Sequence, residues 1–141
     1  MCCVFPEGKT TCIRGRSGCG KTTLIRLLLG LDIPDKGKIE GISDRKISAV
    51  FQEDRLCENL SAASNIRLVC TETISDRELE EAYKAVALTE VWQKPVRELS
   101  GGMRRRVSIL RALLADSDCV IMDEPLRGLD EKTRTKTIDY I

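Results

Sequence analysis

Residues 15–22 read Gly-Arg-Ser-Gly-Cys-Gly-Lys-Thr, and no other run constrains the chain as much. They fit G-x-x-x-x-G-K-[ST], the pattern of a nucleotide phosphate site. A polyphosphate carries several negative charges and many acceptor oxygens, so a chain that holds it must bring backbone N–H groups very close. Glycines permit that approach because they lack a Cβ and tolerate positive φ. A helix that follows the loop aims its partial positive charge and its unsatisfied N–H groups at the same place. Lys21 can then reach the β- and γ-phosphates, and the Thr22 hydroxyl can ligate Mg²⁺. About one random chain in two hundred of this length carries the four fixed positions, so the flanks decide. Lys9-Thr10-Thr11-Cys12-Ile13 before the loop favours a strand, and Leu24 to Leu31 after it favours an apolar helix. Strand, glycine loop and helix is the order the chemistry needs. The candidate nucleotide-binding residues are Gly15, Arg16, Ser17, Gly18, Cys19, Gly20, Lys21, Thr22 and Thr23.

The bulk numbers exclude several classes. A chain of 141 residues is a common size for one domain. A net charge of +1 gives no field that favours nucleic acid or anionic lipid, and 4% aromatics argues against base-stacking platforms. The seven cysteines form no C-x-x-C pair, and without a histidine no zinc set is complete. An odd count on a mixed α/β pattern suggests a reducing cytosol. Most of these thiols are expected to be buried or inert, with Cys19 the exception because it sits at a helix N-terminus, where thiolates are stabilised. No run approaches a membrane span, and no signal peptide is apparent. Adjacent Cys2-Cys3 reads as a strand edge rather than an acylation site.

The chain shows no repeat or low-complexity tract. Strands are expected at 9–14, 38–42 and 47–51, and at 119–122; helices at 21–31 and 61–70. Ser75-Asp76-Arg77-Glu78 is a capping box, opening a helix on which Leu79, Ala82, Tyr83 and Val86 share a face. Another helix follows Leu99–Gly102 and runs to about Ala115, with Met103, Val107, Leu110 and Leu114 on one face. A last helix begins near Glu131. Arg104-Arg105-Arg106 reads as a solvated face, the alternative being a positive field near phosphates.

Two further constellations carry chemistry. The apolar strand 119–122 ends in Asp123-Glu124, and side chains leaving a buried parallel strand emerge at the carboxyl edge, where ligands bind. Asp123 can take Mg²⁺, directly or through water, and Glu124 can act as general base on a water. Gln52, after another apolar strand, reaches the same edge, where its amide can contact Mg²⁺ or the water and sense what docks beyond it. Leu99-Ser100-Gly101-Gly102 makes a second anion-binding helix start. One nucleotide does not need two such sites from one subunit, so the economical reading is that this one serves a nucleotide held by another copy.

Taken in order, Gly15-Lys21-Thr22, Gln52, Leu99-Ser100-Gly101-Gly102, Asp123-Glu124-Pro125 and Gly128-Leu129-Asp130 resemble the ATPase subunit of an ATP-binding cassette (ABC) transporter. Phe51 to Leu56 is similar to ATPases of nitrate, sulfonate and taurine importers. The resemblance implies an α/β P-loop NTPase fold: a mostly parallel, RecA-like core over 1–56 and 100–141, and an α-helical subdomain over 57–99. It implies ATP and Mg²⁺, the metal held by Thr22, Gln52 and Asp123, with Glu124, Lys21 and Gln52 catalytic. It implies a homodimer or paired ABC subunits in which Ser100, Gly101 and Gly102 act in trans and Asp130 belongs to the D-loop. It further implies docking to a membrane permease near Gln52, on the cytoplasmic face of the cell membrane, and no nucleic-acid partner.

The sequence departs from the family pattern in places. Met103 stands where Gln is usual, which puts one polar contact in doubt. No histidine follows the D-loop, and no segment for adenine stacking precedes the phosphate loop; Phe5 reads as core. The expectation is therefore a fragment lacking both flanks, which alone binds Mg-ATP weakly and turns over little. Two other readings stay open: a soluble ABC-type ATPase of translation or DNA repair, disfavoured by the short span between Gln52 and Ser100 without heptads, and a non-catalytic nucleotide-binding remnant.

Overall fold

The computed structural model describes residues 2–89 and 91–141. The chain divides into two compact units, Met1–Ile39 and Glu40–Ile141.

The first unit holds the glycine loop and one helix, α1 (Lys21–Leu28). The helix stops where the chemistry says it should. Gly30 N–H donates to Leu27 O at 3.1 Å and Leu31 N–H to Arg26 O at 2.9 Å, the paired bonds of a Schellman motif. Arg26 in the last turn forks onto Asp32, at 2.6 and 2.7 Å. Helix expectation and structure therefore agree, ending a turn early. The expected strands at 9–14 and 38–42 do not form. β-favouring residues become a strand only against a hydrogen-bonded neighbour, and the ladder among the described residues lies elsewhere. Phe5, expected in the core, is exposed at 40%. Cys2, Cys3, Cys12 and Cys57 are also exposed, against the expectation of buried thiols, while Cys19, the expected exception, is exposed as well; Cys70 and Cys119 are half-buried.

The second unit is built on two parallel strands, β1 (Ile47–Val50) and β2 (Cys119–Met122), in register from Ile47 opposite Cys119 to Val50 opposite Met122. The pairing continues past both ends: Asp118 N–H donates to Lys46 O and Asp123 N–H to Val50 O, each at 2.8 Å. The helices are α2 (Ala62–Arg67), α3 (Asp76–Ala85), α4 (Gly101–Leu113) and α5 (Glu131–Tyr140), with a 3₁₀ turn at Val96–Glu98. Their starts are encoded by caps. Ser61, Ser75, Ser100 and Asp130 each accept from the backbone N–H three residues on. At Ser75 the box is closed, Glu78 accepting from the Ser75 N–H at 2.8 Å.

Helix α4 is the spine. Ile109 and Ala112 pack on Val50 of β1. Val107 and Leu110 join Ile66 of α2 and Leu79, Tyr83 and Val86 of the α3 segment in the larger cluster, with Met103 and Leu114 at its margin. Buried residues run almost unbroken from Arg105 to Ala112. A helix covered on two sides cannot keep a wide polar face, and this overturns the reading of Arg104–Arg106 as a solvated run. Arg105 and Arg106 are 4% and 9% exposed.

Candidate nucleotide-binding site

The expected site residues fall in both units. In the first, the loop 15–20 wraps the start of α1. Gly20 caps that helix at φ 95°, a left-handed backbone that a side chain resists. Gly20 has no side chain with which to cap α1, unlike the N-cap residues of the other four helices. Gly15 packs closely under Cys19: a Cβ there would meet the Cys19 Sγ at 2.6 Å, and that side chain would have to turn away. Lys21 folds back over the loop, its Nζ donating to Gly15 O at 2.8 Å and Arg16 O at 2.9 Å. The ammonium thus sits among the residues expected to hold a phosphate chain, with Cys19 Sγ 3.9 Å away. Ser17, Gly18, Thr22 and Thr23 are exposed on the same loop and first turn.

In the second unit, the parallel ladder delivers two chain segments to one sheet edge, as the strand pattern predicts. Asp123 leaves β2 buried, 7% exposed. Glu124 follows with φ 47° and an exposed side chain. Such a backbone angle at a non-glycine residue stores about 1–3 kcal/mol and persists only when the surroundings enforce it. The Glu124 carboxylate lies 3.6 Å from Arg127, both groups half in solvent. Gln52 is exposed just beyond β1. The loop it belongs to is closed by the Arg55 guanidinium stacked 3.8 Å from the Phe51 ring centroid, and by Arg111, which donates to Arg55 O at 2.8 Å.

The second glycine-opened helix start lies beside the loop after β2. Ser100 Oγ accepts from Met103 N–H at 3.3 Å. A Cβ on Gly102 would meet Leu129 Cδ2 at 3.7 Å and Gly128 O at 3.8 Å, so Gly102 and the Gly128–Asp130 loop are neighbours. Asp130 caps α5, and its carboxyl lies below the usual range because the Thr133 hydroxyl and N–H donate to it. Burial pushes the Arg106 guanidinium down, and nearby Asp130 opposes that.

The buried arginines are the residues sequence reasoning missed. Arg106 ties Gly102 O to the end of the α3 segment through Val86 O and Ala87 O, at 3.1, 3.0 and 2.7 Å. Arg105 grips the ends of both strands. The available signal was their position: they fall inside a stretch where apolar residues recur on nearly every side of the helix.

Metal chemistry can be tested on the donors. Thr22 hydroxyl, Gln52 amide oxygen and Asp123 carboxylate are hard oxygen ligands, the type Mg²⁺ prefers. Among the described residues no three His, Cys, Asp or Glu gather into a ready cage. Mg²⁺ uses one or two carboxylates with phosphate and water rather than an all-protein cage, so the donor type of each of these residues suits that metal.

A glycine loop opening a helix, and a parallel ladder with carboxylates at its carboxyl edge, define a P-loop NTPase fold. The dimeric post-hydrolysis structure of the ATP-binding cassette MJ0796 bound to ADP and Pi has that fold and aligns with a TM-score of 0.72 at 29% identity, covering 88% of this chain and 64% of that one. The ABC transporter family model matches residues 3–127, and the chain belongs to that family. It is 39% identical over 130 residues to the aliphatic sulfonates import ATP-binding protein SsuB 3 of Paraburkholderia xenovorans (strain LB400), covering 92% of this chain and 52% of that protein. It is 36% identical over 151 residues to the trehalose/maltose import ATP-binding protein MalK of Thermococcus litoralis, covering 92% and 40%. The family resemblance drawn from the motifs, including its leaning toward sulfonate importers, is borne out. The chain spans about half the length, or less, of these curated relatives.

Proposed function

We propose that the chain is the ATP-binding and ATP-hydrolysing subunit of an ABC importer, coupling nucleotide turnover to a membrane permease. The observation that carries this is the second glycine-opened helix. The Ser100–Gly102 start of α4 sits against the Gly128–Asp130 loop, while the glycine-capped helix start of a phosphate loop exists separately at Gly20–Lys21. Two anion-binding starts on one chain suit a head-to-tail pair in which each ATP touches residues 15–23 of one copy and Ser100, Gly101 and Gly102 of the other.

In that reading Lys21 exchanges the carbonyls of Gly15 and Arg16 for phosphate oxygens. Thr22, Gln52 and Asp123 hold Mg²⁺, which when bound neutralises charge on the phosphates. Glu124 accepts the proton of the attacking water, and Gln52 orients that water and reports on the docked permease. Asp130 holds the Gly128–Leu129 turn against Gly102. Residues 1–56 and 100–141 form the catalytic core, and 57–99 form the helical subdomain that meets the permease on the cytoplasmic face. ATP drives closure because the closed pair contacts it on both sides and the open pair does not. No helix among the described residues is long and apolar enough to cross a membrane, which suits an attached rather than a spanning subunit.

The test is co-expression with permease subunits of an ABC importer. The pair should co-purify and hydrolyse Mg-ATP, and Lys21→Ala should abolish nucleotide binding. Co-purification with ribosomes or DNA-repair proteins instead, or binding indifferent to Lys21→Ala, would overturn the reading.

A further inference from the structure

Arg105 is buried in the spine helix, its side chain 5% exposed, yet all of its hydrogen-bonding capacity is spent on one place. A guanidinium has five N–H donors in a rigid fork. Here Nε donates to Pro125 O at 2.9 Å. One terminal nitrogen donates to Asp123 O and to Glu124 O, both at 2.7 Å. The other donates to Phe51 O and to Asp54 Oδ1, the latter at 3.4 Å. Each of the five donors therefore has its own acceptor. Four of the five are main-chain carbonyls, so the fork grips backbone rather than side chains.

The choice of carbonyls is informative. Asp123 O belongs to the peptide plane entering Glu124, and Glu124 O to the plane leaving it. The relative turn of those two planes is set by the φ and ψ of Glu124, and φ there is 47°. A single nitrogen that binds both carbonyls therefore locks the residue in its left-handed conformation. The direction in which the Glu124 side chain leaves the backbone follows from that lock. The bond to Phe51 O fixes the peptide plane entering Gln52 in the same way. One guanidinium thus orients the peptides of two residues that come from separate strands.

We propose that Arg105 is a positioning residue for ATP hydrolysis: it aims Glu124 and Gln52 at the reacting water by clamping the peptides beside them. The proposal rests on the ATPase reading above and on the geometry of the fork. It assigns Arg105 no contact with nucleotide. Lysine cannot replace it fully, because an ammonium has three donors and no planar fork.

The experiment uses the subunit assembled with its permease, carrying Arg105→Lys, Arg105→Met, Glu124→Gln, and Arg105→Met combined with Glu124→Gln. Steady-state kcat and KM for Mg-ATP, binding of a fluorescent ATP analogue and thermal unfolding are measured on each. Arg105→Met should lower kcat by on the order of 10²-fold, the usual consequence of a reacting group misplaced by about 1 Å. KM and analogue affinity should change far less than kcat, since Arg105 reaches ground-state binding only through Gln52, one of the three expected Mg²⁺ ligands. Arg105→Lys should fall between the two. The double variant should be slower than Glu124→Gln alone by much less than the full Arg105→Met loss, because Arg105 acts largely through Glu124 and only its Gln52 arm remains to be lost. If Arg105→Met does not fold, Arg105→Lys decides by the same split between kcat and KM. Glu124-dependent turnover that is unchanged in the folded variant, or a loss that adds in full to that of Glu124→Gln, overturns the positioning role alone. Turnover absent from the unsubstituted assembly, or insensitive to Glu124→Gln, overturns the ATPase reading instead.

Discussion

Replacing Glu124 by glutamine separates chemistry from architecture at a residue of the second unit held in a left-handed backbone conformation. Glutamine keeps the shape and length of glutamate, and the φ of 47° and the carbonyl contacts with Arg105 are properties of the backbone. What the change removes is a carboxylate that can accept a proton. General-base catalysis contributes about 10²–10⁴-fold, so the barrier should rise by about 3–5 kcal/mol. Stability should barely move. The carboxylate faces Arg127 at 3.6 Å, with the two side chains 49% and 65% exposed, and pairs of that kind contribute about 0–1 kcal/mol. A loss of that size lowers Tm by no more than about 4 °C in a chain of this length. Glu124→Gly provides the control. It relieves a left-handed penalty of about 1–2 kcal/mol and adds about 0.4–1 kcal/mol of unfolded-state entropy, so the glycine variant should be as stable as the parent or slightly more so, and just as inactive. The assays are single-turnover hydrolysis with saturating Mg-ATP and thermal unfolding. Hydrolysis by Glu124→Gln within about threefold of the parent would refute the assignment of the base. A glycine variant that unfolds well below the parent would show that the φ is no source of strain.

Other consequences follow from burial, charge and exposure. Leu110→Ala, which truncates a fully buried side chain between α4 and the α2–α3 layer, should destabilise by about 3 kcal/mol in urea unfolding; a change under about 1 kcal/mol would mean the cluster is not a packed core. Glu78 and Asp130 are held below their ordinary values of 4.5 and 3.8, the first by the Ser75 hydroxyl and N–H, the second by the Thr133 hydroxyl and N–H. Their folded values lie below their unfolded ones, so they contribute stability above that range and lose it as pH falls through the lowered values. Urea midpoints should therefore drop on acidification below about pH 4.5, less steeply in Ser75→Ala, and an identical slope in that variant would count against the capping box. Cys19 is exposed beside Lys21, so a thiol alkylator should modify it and block nucleotide binding. Mass spectrometry should find ATP protecting Cys19 but not Cys2, Cys3, Cys12 or Cys57; nucleotide binding that survives complete Cys19 labelling would sink the idea.

Periodicity and local caps were readable from the residues because each is decided within a few positions. Ser75 and Glu78 close their box with no help from the rest of the chain, and Leu79, Ala82, Tyr83 and Val86 face one core because a helix has a period of 3.6 residues. The pairing of 47–50 with 119–122 was legible only as two apolar runs ending in polar groups; that they adjoin depends on contacts some seventy residues apart. Lys9–Ile13 shows the opposite failure, since β-favouring side chains make no strand where no neighbour supplies a ladder. The arginine run failed for a related reason. Counting charges on a helix assumes that one side meets water, and α4 is pressed between β1 and the helical layer. A charge on such a helix is tolerated only when its donors are satisfied. Arg105 and Arg106 meet that demand with carbonyls left over at the ends of strands and of the α3 segment. Those carbonyls exist because β2 stops at Met122, next to the carboxylates, and because α3 stops before Val86. The burial that hid the arginines from a sequence reading is also what aims Arg105 at the backbone of Glu124 and Arg106 at that of Val86 and Ala87.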